Sequence, residues 1–335
     1  MSNFWKVFVE PMVVLLLVAG ASYAQNLEED DFKIGVSVNQ VFLSVTARTL
    51  GEGGFYKGLT REHFQVFEDG VQQEIINFTQ EAVPVSVVLL IDASGSTRYS
   101  QSSIRLAAVR FAESLDPEDQ IAIVTFNDAP RLILEWGNDL ANVRHALETI
   151  YAKGPTVMND ALYVTFDDLL KDVPGKKAVL MLTEGVDTTS QMSMNAAIEL
   201  AGRSEAIVYV VSRLDEYWAG AIGFRQQIRS LGRLIPNELT DAYILEAKKG
   251  LQRLANVTGG RVLEAGRFGS LSEVYQAVAD ELKNQYYLSY EPSNGEQDGG
   301  WRSVEIRALE LGVSVTTRQG YFAPGQAGPE SANDP

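Results

Sequence analysis

Apolar and polar residues change their spacing along this chain, and each change predicts a change of element. Between residues 32 and 80, Val36, Val38, Val41, Leu43 and Val45 fall in part-alternating, β-branched runs. Gly51-Glu52-Gly53-Gly54 and Glu68-Asp69-Gly70 supply turns, and residues 62–78 read as a hairpin. The middle differs. Apolar runs at 85–91, 121–126, 178–182 and 206–211 have the Val/Ile/Leu content of strands buried on both faces, and 131–134 reads as a shorter edge strand. Segments 103–115, 140–150, 159–170 and 194–203 carry apolar residues three and four apart, and helices are also expected around 241–256 and 271–283. Such alternation specifies an α/β domain with a doubly wound, mainly parallel sheet. Strand-like text returns at 286–290, 303–307 and 313–317.

Three strands are too few for a confident separate core. The C-terminal segment, 284–323, is therefore expected to join the N-terminal segment, 32–82, in one β-sandwich, with the α/β domain, 83–283, inserted between them. Residues 324–335 read as a disordered tail. The stretch 213–240 is longer than an ordinary strand-to-helix connection and mixes Trp218 and Phe224 with several arginines. It fits a helical insertion packed on the body or a partner-binding loop.

Residues 1–24 have the form of a signal peptide: Lys6 precedes the apolar stretch 12–21, and Ser22-Tyr23-Ala24 puts small residues where a signal peptidase reads. A retained anchor needs ~20 apolar residues, and Glu10 and Pro11 interrupt this one. A secreted or periplasmic protein is expected, with no stable membrane span after cleavage. There is no cysteine, so the exported chain has no disulfide and must rely on its core, a bacterial pattern. The net charge of −16 is unchanged on removing the leader, since Lys6 and Glu10 cancel. An acidic chain without a basic stretch interleaved with aromatics does not bind nucleic acid.

The chemistry concentrates where the strand beginning at Val85 ends. Asp92, Ser94 and Ser96 present three oxygen side chains spaced two apart. Open α/β sheets bind ligands outside the carboxyl ends of their strands. Oxygen donors without His or Cys suit Mg²⁺. Asp92-Ala93-Ser94-Gly95-Ser96 resembles the Asp-x-Ser-x-Ser signature of von Willebrand factor A domains. Thr156, in Lys153-Gly154-Pro155-Thr156, matches the family's loop threonine, and Glu184, in Thr183-Glu184-Gly185, stands where the family usually has Asp.

The resemblance implies a metal-ion-dependent adhesion site that holds Mg²⁺ or Mn²⁺ through Asp92, Ser94, Ser96, Thr156 and Glu184. Neutral hydroxyls would touch the ion while the acids hold its waters. The ion then stays electrophilic and takes its last ligand from an Asp or Glu carboxylate of an unknown protein partner. Glutamate is one methylene longer than aspartate, so Glu184 reaches the ion through water, touches it under strain, or misses it; Asp187 substitutes only if its loop curls back. The β-rich segment before the domain, with Phe64-Gln65-Val66-Phe67-Glu68-Asp69-Gly70, resembles that of secreted bacterial A-domain-related proteins, notably from acidobacteria.

An enzyme needs a constellation that this chain lacks. A base for Ser94 would have to be His63 or His145, and neither has a predicted reason to lie beside it. There is no thiol and no phosphate loop, and Asp167 and Asp168 are adjacent on a helix and diverge. The expectation is a secreted metal-dependent binding or adhesion module and not an enzyme. The alternatives are an envelope scaffold with a degenerate site, or a hydrolase using metal-activated water.

Overall fold

Strand β1 (Val41–Thr49) alternates buried and part-exposed positions over its first half, as expected of a strand with one face on a core. It is followed by β2 (Phe64–Glu68), β3 (Val71–Gln73) and β4 (Ile75–Thr79). The structure, a computed structural model, describes residues 40–51, 53–81, 83–183, 186–213 and 237–325, with backbone alone for 237–243. The expected signal peptide, Glu184, most of the 213–240 insertion and residues 326–335 lie outside the described residues.

The middle of the chain alternates as its periodicity predicts. In order come β5 (Val85–Asp92), α1 (Gln101–Ser114), β6 (Gln120–Phe126), β7 (Pro130–Gly137), α2 (Leu140–Glu148) and α3 (Met158–Tyr163). These are followed by β8 (Lys176–Thr183), α4 (Met194–Ser204), β9 (Ile207–Ser212), α5 (Asn237–Thr258), β10 (Val262–Glu264) and α6 (Leu271–Lys283). The sheet order is β10-β9-β8-β5-β6-β7, parallel except for β7 at the edge.

Both faces of this sheet are covered. Val87, Leu89 and Ile91 of β5 pack with Ile104, Phe111, Val143 and Val278 of α1, α2 and α6. The alternate residues, Val88 and Leu90, pack with Leu162, Ile198 and Leu254 of α3, α4 and α5. The period of two thus divides each strand between two cores.

One predicted helix is interrupted. The 159–170 segment is α-helical only to Tyr163 and continues as a π-turn over Val164–Leu169. The buried hydroxyl of Thr165 donates to the Ala161 carbonyl at 2.7 Å, and the Leu170 amide reaches the Thr165 carbonyl, five residues back. Back-bonding of this kind competes with the regular ladder.

The chain closes with β11 (Gln285–Tyr290), β12 (Trp301–Ala308), β13 (Val313–Thr316) and β14 (Gly320–Phe322). One antiparallel sheet runs β13-β1-β11-β4 and the other β14-β12-β2-β3. Strands from the two ends of the chain alternate in the first sheet, so β1 and β4 pair only with C-terminal strands. The two sheets share a core of Leu43, Val45, Phe64, Val66, Ile75, Tyr286, Leu288 and Val304. Rings of Phe64 and Tyr286 lie 5.4 Å apart. At the other end buried Glu68 accepts from the hydroxyls of Tyr290 and Tyr321 at 2.7 and 2.8 Å. The hairpin expected over 62–78 is only β2 and β3, because β4 crosses to the opposite sheet.

The sandwich is seated on the α/β domain by polar groups. Glu281 of α6, 3% exposed, accepts from Arg48 of β1 and Arg261 before β10, both at 2.7 Å. Lys176, the first residue of β8, donates to the Leu282 carbonyl at 2.6 Å and to the Tyr287 hydroxyl. Arg318 donates to the Gly202 carbonyl at 2.6 Å. Gly260 passes so close to β9 that a Cβ there would stand 2.0 Å from the Val208 carbonyl oxygen. No other residue type fits that approach.

Candidate functional site

The strands β5, β6, β8 and β9 end on one side of the sheet, and the loops that leave them carry the candidate oxygens. Asp92 closes β5 and is 1% exposed. Its Oδ1 accepts the Ser94 amide at 2.9 Å, and its Oδ2 accepts the Thr183 hydroxyl from the end of β8 at 3.4 Å. The carboxylate is therefore fixed at both oxygens. Ser94 is buried and Ser96 exposed, and their hydroxyl oxygens are 3.0 Å apart. Two turns of 3₁₀ helix, Gly95–Ser100, then carry the chain into α1. The Thr97 hydroxyl donates to the Ser94 carbonyl at 3.0 Å and stiffens the first turn.

The loop bearing Thr156 is tied to this turn by backbone. The Lys153 amide donates to the Ala93 carbonyl at 3.0 Å, and the Gly95 amide to the Gly154 carbonyl at 3.1 Å. Gly154 takes φ +76°, which its lack of a side chain permits. Thr156, two residues on, is buried. Its amide donates to the Thr188 hydroxyl at 2.9 Å, while the Thr188 amide donates to its carbonyl at 2.9 Å. The loop after β8 is in this way strapped to the Thr156 loop.

Asp187, three residues past Glu184, braces its own loop. Its carboxylate accepts the Asn159 amide at the start of α3 at 2.9 Å and the Ser190 amide at 3.0 Å. Asp160 accepts the amides of Gln191 at 3.0 Å and Met192 at 2.8 Å. These bonds hold the 186–192 loop against α3. On the other flank Asp128, just past β6, pairs with Arg131 at 2.7 Å, and that hydrogen bond lowers its pKa.

Asp92, Ser94 and Ser96 thus share one hydrogen-bonded turn, Thr156 lies in the loop docked on it, and Glu184 is outside the described residues. His63 is in the sandwich, bonded to Thr60, and His145 is on α2. Sequence reading missed Thr183 as the hydroxyl that orients Asp92, since only folding brings it there; its position before Glu184 at a strand end is the signal that was available. Among the described residues no three His, Cys, Asp or Glu side chains converge. Of the candidate residues, the described ones offer a cation one carboxylate, that of Asp92, beside hydroxyls.

The donor set fits a small hard ion. Two cis oxygens on octahedral Mg²⁺ at roughly 2.0–2.1 Å stand about 2.9 Å apart, close to the Ser94–Ser96 separation. Residues 86–223 match the von Willebrand factor type A domain family. The chain contains a von Willebrand factor type A domain.

Several solved structures are similar to parts of this chain. The vWF domain of the type V pili tip protein Mfa5 from Porphyromonas gingivalis is 20% identical, with a TM-score of 0.30 over 32% of this chain and 40% of that one. Proximal thread matrix protein 1 from the mussel byssus, in a form with a zinc-occupied MIDAS motif, is 14% identical, with a TM-score of 0.45 over 64% of this chain and 50% of that one. The von Willebrand factor type A protein from Catenulispora acidiphila is 13% identical, with a TM-score of 0.44 over 86% and 74%. The chain therefore spans half or less of the pilus-tip and byssus proteins. No curated protein matches it. Among the described residues no helix is long and apolar enough to cross a membrane.

Proposed function

We propose that the protein is an exported binding module whose A domain holds Mg²⁺ or Mn²⁺ and uses it to recruit an Asp or Glu carboxylate of a protein partner. The observation that carries this reading is the Asp92-Ser94-Ser96 turn at the carboxyl end of β5, with two hydroxyl oxygens 3.0 Å apart beside a buried, doubly hydrogen-bonded carboxylate. Ser94, Ser96 and Thr156 would supply neutral oxygens, and Asp92 and Glu184 would hold the waters of the ion. Few direct negative charges leave the bound ion attractive to an outside carboxylate. Catalysis is not part of the proposal, because neither histidine is among the residues that build the site.

Export is part of the same reading, supported by the leader-like residues 1–24 and the absence of cysteine. The test is retention of the protein on a surface bearing aspartate-containing peptides. Binding should require Mg²⁺, reverse with EDTA, and vanish when asparagine replaces aspartate. Equal retention by both peptides in EDTA would overturn the proposal. Glu184→Asp discriminates the roles of Glu184: tighter Mg²⁺ binding identifies a water-mediated ligand held back by its extra methylene, and unchanged affinity in both this variant and Glu184→Ala places it outside the coordination sphere.

A further inference from the structure

Asn294 is the one asparagine of the sequence that glycine follows. It lies in the connection between β11 and β12, which carries the chain from one sheet of the sandwich to the other. Both flanks of that connection are held. The Ser293 amide donates to Gln73 Oε1 of β3 at 3.0 Å and Gln73 Nε2 donates back to the Ser293 hydroxyl at 2.9 Å, while Arg302 of β12 donates to the Glu296 carbonyl at 3.3 Å and to Asp298 at 2.8 Å. Between these anchors Asn294 and Gly295 are exposed.

Three features make the pair reactive. The Gly295 amide donates to no acceptor among the described residues, so water can take its proton. A Cβ built on Gly295 would meet nothing within 4 Å, so neither the glycine nor its surroundings crowd the approach of its nitrogen to the Asn294 side chain. The Asn294 carboxamide makes one bond among the described residues, its Oδ1 accepting the Glu296 amide at 3.1 Å. That bond draws charge from Cγ, is in place for the oxyanion that attack at Cγ forms, and leaves Nδ2 free to depart. The two Asp-Gly pairs, Asp69-Gly70 and Asp298-Gly299, are placed differently. Asp69 Oδ1 accepts the amide and hydroxyl of Ser303 at 2.8 and 2.9 Å, and Asp298 accepts the Gly300 amide and Arg302, both at 2.8 Å, bonds that lower its pKa. Carboxylates held in this way are poor targets for attack, since one oxygen would have to leave as water.

We propose that Asn294-Gly295 is a site of spontaneous covalent modification, at which asparagine becomes aspartate and isoaspartate. The Gly295 nitrogen loses its proton to water and attacks Asn294 Cγ; the Cγ–Nδ2 bond breaks, and ammonia leaves with a proton from solvent. The cyclic imide that results is then opened by water. Cleavage of the new Cγ–N bond gives aspartate, and cleavage of the original peptide C–N bond gives isoaspartate, whose backbone runs through Cγ. Water is the only co-reactant. Either product places a further negative charge among Glu291, Glu296 and Asp298, and isoaspartate lengthens the connection by one carbon between its Gln73 and Arg302 anchors. Aged molecules therefore differ from new ones in the loop that joins the two sheets, whatever the state of the Asp92 site.

The experiment is storage of the full chain at physiological temperature over a series of mildly alkaline pH values, followed by peptide mass mapping and by treatment with an isoaspartyl methyltransferase, which labels isoaspartate. Asn294 should be the first residue to convert, with a mass gain of about 1 Da, methyl acceptance, and a rate that rises with pH because the attacking nitrogen must lose its proton. Gly295→Val has room for its branched side chain, which crowds the attack, and should slow the conversion by about tenfold or more. Asn294→Ala should accept no methyl group in this peptide. First conversion at another residue, an equal rate in folded Gly295→Val protein, or a folded chain that stays intact while the free peptide 291–300 converts would overturn the proposal.

Discussion

Lys176 makes the junction between sandwich and α/β domain sensitive to pH, with a sign set by its burial. The residue is 7% exposed, and burial lowers its pKa to about 7, the attraction of Asp119 offsetting only part of that effect. In the unfolded chain the amine titrates near the ordinary lysine value of about 10.4. Between these two values the unfolded state binds a proton that the native state does not. Stability contributed through this residue therefore rises with pH across that window, by up to ~1.4 kcal/mol per unit. From pH 7.5 to 9.5 the sum is ~2.5 kcal/mol. Lys176→Met removes the titration while keeping an unbranched stem beneath Tyr287. Urea unfolding of both proteins at the two pH values isolates the effect, since every other group titrates in both. The gap between the two stabilities should shift by ~2.5 kcal/mol in favour of the wild type on going to pH 9.5. A gap that does not change with pH would mean that Lys176 stays charged in the native state, and the description of the junction would be wrong.

Three further outcomes test the packing. Gly260→Ala drives a methyl group into the Val208 carbonyl, 2.0 Å away, and should cost ~1–3 kcal/mol, read as a lower melting temperature. Glu281→Leu leaves Arg48 and Arg261 without the buried carboxylate they share; an unfolding titration should show a loss approaching ~3 kcal/mol, reduced by the partial exposure of both arginines. A chain ended after residue 283 removes every ladder partner of β1 and β4, and light scattering should find it aggregated; a monodisperse, fully folded product would contradict the interleaved sandwich.

The central sheet was legible because β5, β6, β8 and β9 are buried on both faces and so appear as continuous apolar runs. The helix expected at 271–283 is α6, whose serine cap and apolar spacing are local signals. Strands β10 and β14 have three residues each, too few to show a period, and were not foreseen. The break after Tyr163 was hidden because it depends on one threonine hydroxyl turning back on its own helix. The order of the sandwich sheets was beyond reach for another reason: β1 pairs with β11 and β13, more than 230 residues away, and no local pattern records such a partner. The same division applies to the site. Asp92, Ser94 and Ser96 lie within five residues and could be read directly, whereas the Thr183 bond to Asp92 and the Thr156–Thr188 strap join distant loops.

The most direct test of the account is Mg²⁺ titration by calorimetry, paired with melting of the wild-type protein and Asp92→Ala. The wild type should bind one ion. At 100 times its dissociation constant the ion should add ~2.7 kcal/mol of stability, and Asp92→Ala should show neither heat nor shift while remaining folded in the absence of metal. No binding by the wild type at millimolar Mg²⁺ or Mn²⁺, or undiminished binding by Asp92→Ala, would contradict a metal-dependent module built on this turn.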